Sequence, residues 1–198
     1  EVTESPYDYA GNIVIPAEVT YDGGTYSVTT IGDSVFYYCD DLTSISMPSV
    51  TTIGDGAFYR CYYLKSVSMP SVMTIGERAF MYCNALTSVS MPVVTTIGDS
   101  AFESCFALTS VYMPLVETIG EWAFSGCALI SVSLPSATTI GDWAFYWCSA
   151  LTSVNIPASV STIGIGAFDR CSSLTSVYCH WEQPLECDPE FTSEVLMN

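Results

Sequence analysis

Apolar and polar positions along this chain follow one pattern many times over. Ile31, Ile53, Ile75, Ile97, Ile119, Ile140 and Ile163 succeed one another at intervals of 22, 22, 22, 22, 21 and 23 residues. A period in the twenties is that of a solenoid, where one repeat is one coil and a core forms only when coils stack. In "LKSVSMP", Leu64, Val67 and Met69 fit the inward side of a short strand, Ser66 and Ser68 point to the other face, and Pro70 ends it. "SVMTIG" supplies a second extended segment ending at Gly76. "ERAF" then predicts a short helical turn whose leading acid meets free N–H groups, after which Ala79, Phe80 and Cys83 close the core. The expected coil is strand, turn, short strand and helical turn, about seven times over.

Both ends depart from the pattern. Pro16 precedes Ile31 by 15 residues where Pro48 precedes Ile53 by five, and the extra "EVTYDGGTYSV" reads as a β-hairpin around Asp22-Gly23-Gly24. A terminal coil exposes apolar surface and an unpaired edge, so the ends call for caps. We expect an N-terminal cap with a hairpin over 1–30, the solenoid over 31–178 and a C-terminal cap over 179–198. Leu196, Met197 and Asn198 look like a chain cut before its natural end. Residue 1 is Glu, which fits a mature chain whose signal peptide has been removed.

Composition narrows the chemistry. A formal charge of −17, with only Arg60, Lys65, Arg78 and Arg170 as bases, repels phosphate backbones and excludes nucleic acid as a partner. No apolar run approaches the roughly 18 residues of a membrane span, so membrane insertion is not expected. Seven cysteines (Cys39, Cys61, Cys83, Cys105, Cys127, Cys148, Cys171) share one repeat position, the mark of a ladder of small buried thiols. Cys179 and Cys187 lie outside it and are the candidate disulfide. No CxxC pair occurs and His180 is the one histidine, so no metal or other cofactor is expected. Hydrolase, zinc-protease and phosphate-loop motifs are missing too, and the chain reads as no enzyme.

Three repeated surface columns remain. The acids Asp33, Asp55, Glu77, Asp99, Glu121 and Asp142 either cap the turns that follow them or recruit Ca²⁺ between coils. Ser44, Ser66, Ser88, Ser110, Ser131, Ser153 and Ser176 line the strand face, small residues that let coils stack. Aromatic residues gather beside the Phe and Cys positions. Trp122 and Trp143 occupy one column on adjacent coils with Tyr146 and Trp147 nearby, either packing between coils or forming a patch for a sugar face or an apolar anchor. Because that column holds Ser34, Gly56, Arg78, Ser100 and Gly166 elsewhere, both indoles are expected to be at least half exposed.

The repeat "LTSVxMPxxxTTIGxxAFxxC", the opening "IVIPAEVTYDGGTYSVTTIGDSVFYYC" and the close "VYCHWEQP" resemble the BspA-like leucine-rich repeat proteins, also called the TpLRR class, over about residues 11–191. The resemblance implies a leucine-rich repeat right-handed solenoid of the α/β horseshoe class, mostly β with short helical turns. It also implies secreted or surface-anchored proteins of bacteria, and of some protozoa, that adhere to host proteins or other cells, with no catalytic residues to carry over. The strand Met, where the family more often has Ile, and the one-residue slips near Cys127 and Val160 are departures. The expected function is a non-catalytic extracellular recognition module for a host or cell-surface protein or glycan. The alternative is a structural spacer within a longer surface protein. Asp33-Ser34-Val35 and Asp99-Ser100-Ala101 resemble sites where gut bacteria attach O-glycans, which makes Ser34 and Ser100 candidates for modification.

Overall fold

The computed structural model describes residues 9–180. Two sets of parallel strands join the coils. Seven two-residue strands, Thr30–Ile31, Thr52–Ile53, Thr74–Ile75, Thr96–Ile97, Thr118–Ile119, Thr139–Ile140 and Thr162–Ile163, form one sheet in chain order, each Thr opposite Thr and each Ile opposite Ile. The second set contains the Ser-rich strands. Gly11–Val14, Leu42–Ser46 and Ser66–Ser68 pair in order, Ser88–Ser90 pairs with Ser110–Tyr112, and Ser131–Ser133 joins Ser153–Ile156 and Ser176–Cys179. Most of these strands pair with the equivalent strand of the next coil, with the rest of the coil as the crossover that parallel pairing requires.

Between the two strands of a coil the expected helical turn is absent: no helix occurs among the described residues. The reason is local. Ser34, Gly56, Arg78, Ser100, Trp122, Trp143 and Gly166 all have φ between 50° and 60°. Four residues later Tyr38, Arg60, Tyr82, Ser104, Gly126, Trp147 and Arg170 have φ between 55° and 74°. A left-handed residue cannot continue a right-handed helix. The N–H groups freed in this way bond to the next coil, Ser34, Phe36 and Tyr38 donating to the carbonyls of Asp55, Ala57 and Tyr59 at 2.9, 2.7 and 2.9 Å. Only three of these fourteen positions are Gly, so the local sequence carries little trace of the conformation.

Phe36, Phe58, Phe80, Phe102, Phe124, Phe145 and Phe168 run through the core as a stack, with successive centroids 4.9–5.4 Å apart and planes within 7° of parallel. Burying each ring contributes about 2–3 kcal/mol. Glycine sets the coil spacing. A Cβ on Gly98 would lie 2.7 Å from the Gly76 carbonyl carbon and 2.8 Å from the Glu77 nitrogen, so this position accepts no side chain. All seven ladder cysteines are buried thiols. Six donate S–H to a Phe carbonyl of the preceding coil, as Cys105 does to Phe80 at 3.1 Å and Cys127 to Phe102 at 3.2 Å. Burial raises the pKa of these six, to about 12 for Cys105 and Cys171, which keeps them protonated and unreactive.

The N-terminal hairpin pairs Glu18–Tyr21 with Gly24–Ser27 around Asp22 and Gly23, whose φ of 48° and 76° are those of a type I′ turn. It projects more than it covers: Val19, Tyr21 and Tyr26 are exposed, Tyr21 by 76%. Ile15 and Val28 instead join the core, and the Tyr9 ring lies 4.9 Å from Phe36. Cys187 and residues 181–198 of the expected C-terminal cap lie outside the described residues.

Candidate functional site

The two left-handed columns and the residue before the second of them shape the outer surface of the turns. On the first coils they gather Tyr37, Tyr38, Tyr59, Arg60 and Tyr82. Tyr37 stacks on Tyr59 at 5.2 Å, and the Arg60 guanidinium lies over the rings of Tyr38, Tyr59 and Tyr82 at 5.0, 5.2 and 5.3 Å. Arg60 also donates to the Tyr38 hydroxyl, while its Nε is buried without a partner. Burial, and then the neighbouring Tyr38, raise the Tyr37 pKa.

The Trp pair lies on later coils. Trp122 and Trp143 stack at 4.9 Å with planes 23° apart, and Tyr146 meets Trp122 edge-on at 5.4 Å. The Trp122 Nε1 donates to Glu121 Oε1 at 2.8 Å. Trp143 lies over the next coil, where a Cβ on Gly166 would come within 2.5 Å of its indole nitrogen. These contacts correct the expected exposure. Trp122, Trp143 and Tyr146 are partly buried, and of the four residues only Trp147 is mostly exposed, at 59%. The column tolerates Ser, Gly and Arg because it shares a backbone conformation, not because it is uniformly exposed.

The acidic column also differs from expectation. Asp33, Asp55, Asp99 and Asp142 each accept through Oδ1 from the N–H of the equivalent residue one coil on (Asp55, Glu77, Glu121 and Ile165) at 2.7–2.9 Å. They therefore tie coils together instead of capping a turn of their own. Glu77 and Glu121 carry one more methylene and turn to the residue that follows, Glu77 to Arg78 at 2.9 Å and Glu121 to Trp122. Among the described residues no group of three or more His, Cys, Asp or Glu could hold a metal ion.

Two shallow hollows of about 460 and 450 Å³ run beside this column and share Glu77 and Arg78 as a common wall. Tyr37 and Tyr59 line the first, and Trp122 lines the far side of the second. Within the second, Ser100 is 9% exposed. That burial leaves little room for a sugar on Ser100, whereas Ser34 is exposed. Of the candidate disulfide, Cys179 ends the last Ser-rich strand and is partly buried. No helix among the described residues is long and apolar enough to cross a membrane. The sequence reading placed Tyr37, Tyr38, Tyr59 and Tyr82 among the aromatic residues beside the Phe and Cys positions, but it missed Arg60 at their centre and the groove.

No curated protein matches the chain. A leucine-rich repeat protein of Treponema pallidum is similar over 83% of this chain and 78% of its own, at 30% identity and a TM-score of 0.74. A leucine-rich cell surface protein of Faecalibacterium prausnitzii shares 28% identity over 84% of this chain and 69% of its own, with a TM-score of 0.50. The pneumococcal vaccine antigen PcpA, at 21% identity and a TM-score of 0.59 over 91% of this chain and 42% of its own, shares the fold. Six copies of the BspA type leucine rich repeat region match residues 25–115 and 95–183. With that repeat over most of its length and a stack of parallel β coils to match, the chain belongs to the BspA-type leucine-rich repeat family.

Proposed function

We propose that the protein is a non-catalytic recognition module, secreted or held at a cell surface, that mediates adhesion by binding a protein or a glycan. The stacked Trp122–Trp143 pair, edged by Tyr146, carries this reading. A bulky residue at φ near 55° costs about 1–2 kcal/mol relative to Gly, and two consecutive coils hold Trp there while the next holds Gly. Stacked indoles with a partly open face suit a sugar ring or an apolar side chain. Surface location draws support from the Faecalibacterium neighbour, which is a cell surface protein.

A screen of the protein against host matrix proteins and a glycan array tests this reading. For the ligand retained, Trp122→Ala with Trp143→Ala should weaken binding by about 2 kcal/mol or more. Unchanged affinity would move the site elsewhere. Retention of nothing from either screen would favour the structural spacer.

A further inference from the structure

Trp147 stands apart from the other tryptophans of the later coils. It is 59% exposed, and no ring among the described residues stacks on it. Its φ is 55°, a left-handed backbone that costs a bulky residue stability, so neither packing nor local conformation accounts for an indole here. The coil before it carries Gly126 at the same repeat position, tied to this coil by a bond from the Gly126 N–H to the Tyr146 carbonyl at 2.8 Å. Glycine leaves the space beside the indole free of a side chain. Phe106, 55% exposed, bounds that space, its Cε1 3.6 Å from where a Cβ on Gly126 would lie.

The coil after it adds a charge. Four bases stand against 21 acids in the chain, and among the described residues only Arg78 is paired with a carboxylate. Arg60 is enclosed by tyrosines. Arg170, the next residue of the Trp147 column, is exposed, and its guanidinium lies over the ring of Tyr146, the neighbour of Trp147, at 5.6 Å. The Trp147 N–H donates to the carbonyl of Asp169, the residue before Arg170, at 2.9 Å, which holds the two coils in register. A flat apolar surface beside an unpaired cation matches a ligand that carries a ring and an anion together.

We propose that Trp147, Gly126, Phe106 and Arg170 form a subsite for an acidic sugar, a pyranose ring bearing a carboxylate, within a glycan. The C–H face of the ring lies on Trp147 above the Gly126 backbone, with Phe106 at its edge. Arg170 donates to the carboxylate, and Asp169, exposed next to it, accepts from a sugar hydroxyl. The charge of −17 opposes such a ligand at long range, but at physiological salt that repulsion decays over about 8 Å, whereas the guanidinium acts at contact. The proposal rests on the recognition reading for the glycan alone, and it shares only Tyr146 with the stacked tryptophan pair.

The test uses the full chain, a galacturonic acid tetrasaccharide and its neutral galactose counterpart, titrated by calorimetry. Saturable binding of the acidic sugar is expected, about tenfold tighter than that of the neutral one. Arg170→Gln keeps a stem over Tyr146 and should abolish the difference, leaving the two sugars alike. Trp147→Asn suits the left-handed backbone and should weaken the acidic sugar by about tenfold or more at an unchanged melting temperature. Should that variant fail to fold, Gly126→Asn fills the space beside the indole and should weaken binding about fivefold. No binding of the acidic tetrasaccharide, equal binding of the neutral one, or equal binding of a glutamate tetrapeptide of the same charge would overturn the proposal. Trp122→Ala with Trp143→Ala should change affinity for the acidic sugar less than about twofold, whereas it is expected to harm the ligand of the stacked pair. The two readings can therefore fail separately.

Discussion

The tyrosines of the first coils and the tryptophans of the later ones occupy equivalent stretches of the repeat, yet they do different work. Around Arg60 the rings of Tyr38, Tyr59 and Tyr82 turn toward a guanidinium whose Nε is already out of reach of water. Trp122 and Trp143 pack on each other, on Tyr146 and over Gly166, with Trp147 standing out beside them. The first set is consumed by its own contacts and the second is partly left for a partner. Aromatic content alone is therefore a weak guide to a binding surface. What each ring already touches decides the matter.

Both regions rest on the same thiol ladder, and the largest expected effect comes from attacking it. The six buried thiols have pKa values raised above the unfolded value of about 8.5, so folded coils keep protons that unfolded ones release. Their contribution is fully present below pH ~8.5 and is lost as pH rises toward about 12. Each thiol then costs up to about 1.4 kcal/mol per pH unit, and the six together on the order of 8. We expect cooperative unfolding one to two pH units above ~8.5, with tryptophan emission and far-ultraviolet circular dichroism changing together. A tryptophan transition at a separate pH would mean that the two regions unfold independently. Intact circular dichroism at pH ~11 would contradict thiol burial.

Gly98 lies between the two regions. Its missing Cβ would strike backbone atoms of the preceding coil at 2.7–3.0 Å, so Gly98→Ala must push coils apart and should cost about 3 kcal/mol in urea denaturation. Gly56→Ala, where the nearest atom outside its flanking residues is the Ser34 hydroxyl oxygen at 3.4 Å, should cost only the ~1 kcal/mol of a left-handed Ala. Equal losses would show that backbone strain, not coil spacing, governs glycine here.

The comparison itself is put at risk by truncating one residue from each region. Arg60→Ala removes three cation–ring contacts and the bond to Tyr38, and should lower stability by about 2 kcal/mol. Trp143→Ala removes one stacked pair and should cost about 1 kcal/mol. Thermal unfolding of the two variants gives the order, and a larger loss for Trp143→Ala would make the tryptophans the structural element. The smallest effect belongs to the acidic column between them. Asp99→Ala should cost about 0.5–1 kcal/mol by freeing the Glu121 N–H, and Asp99→Asn less than about 0.5 because its amide oxygen still accepts.

The stack, the Phe column, the buried thiols and both strand types were legible because each depends on a residue kind repeated at one position, which needs only the period to be read. The left-handed columns were not. Trp122, Arg60 and Tyr82 are poor markers of positive φ, and Gly56, Gly126 and Gly166 are too scattered to mark it alone. Without that conformation "ERAF" reads as a helical start, and the acid before it as the cap of its own turn. The hairpin's turn was visible in Asp22-Gly23, whereas its projection from the core was not, since Val19 and Tyr26 look like residues made for burial. The groove depends on which side chains become neighbours across coils, with Ser100 buried and Ser34 exposed at one repeat position.

The stacking of every coil on the one before it has a kinetic consequence. From Thr29 onward, hydrogen bonds between coils join residues 20–26 apart in sequence, such as Trp122 to Asp142 and Cys171 to Phe145, wherever along the stack they lie. For a chain of this length that corresponds to a relative contact order of about 0.1, closer to helical bundles than to sandwiches built from the same amount of strand. The barrier to folding should thus be set by closing one loop of some twenty residues, and lengthening the array by further coils should leave the folding rate nearly untouched while slowing complete unfolding.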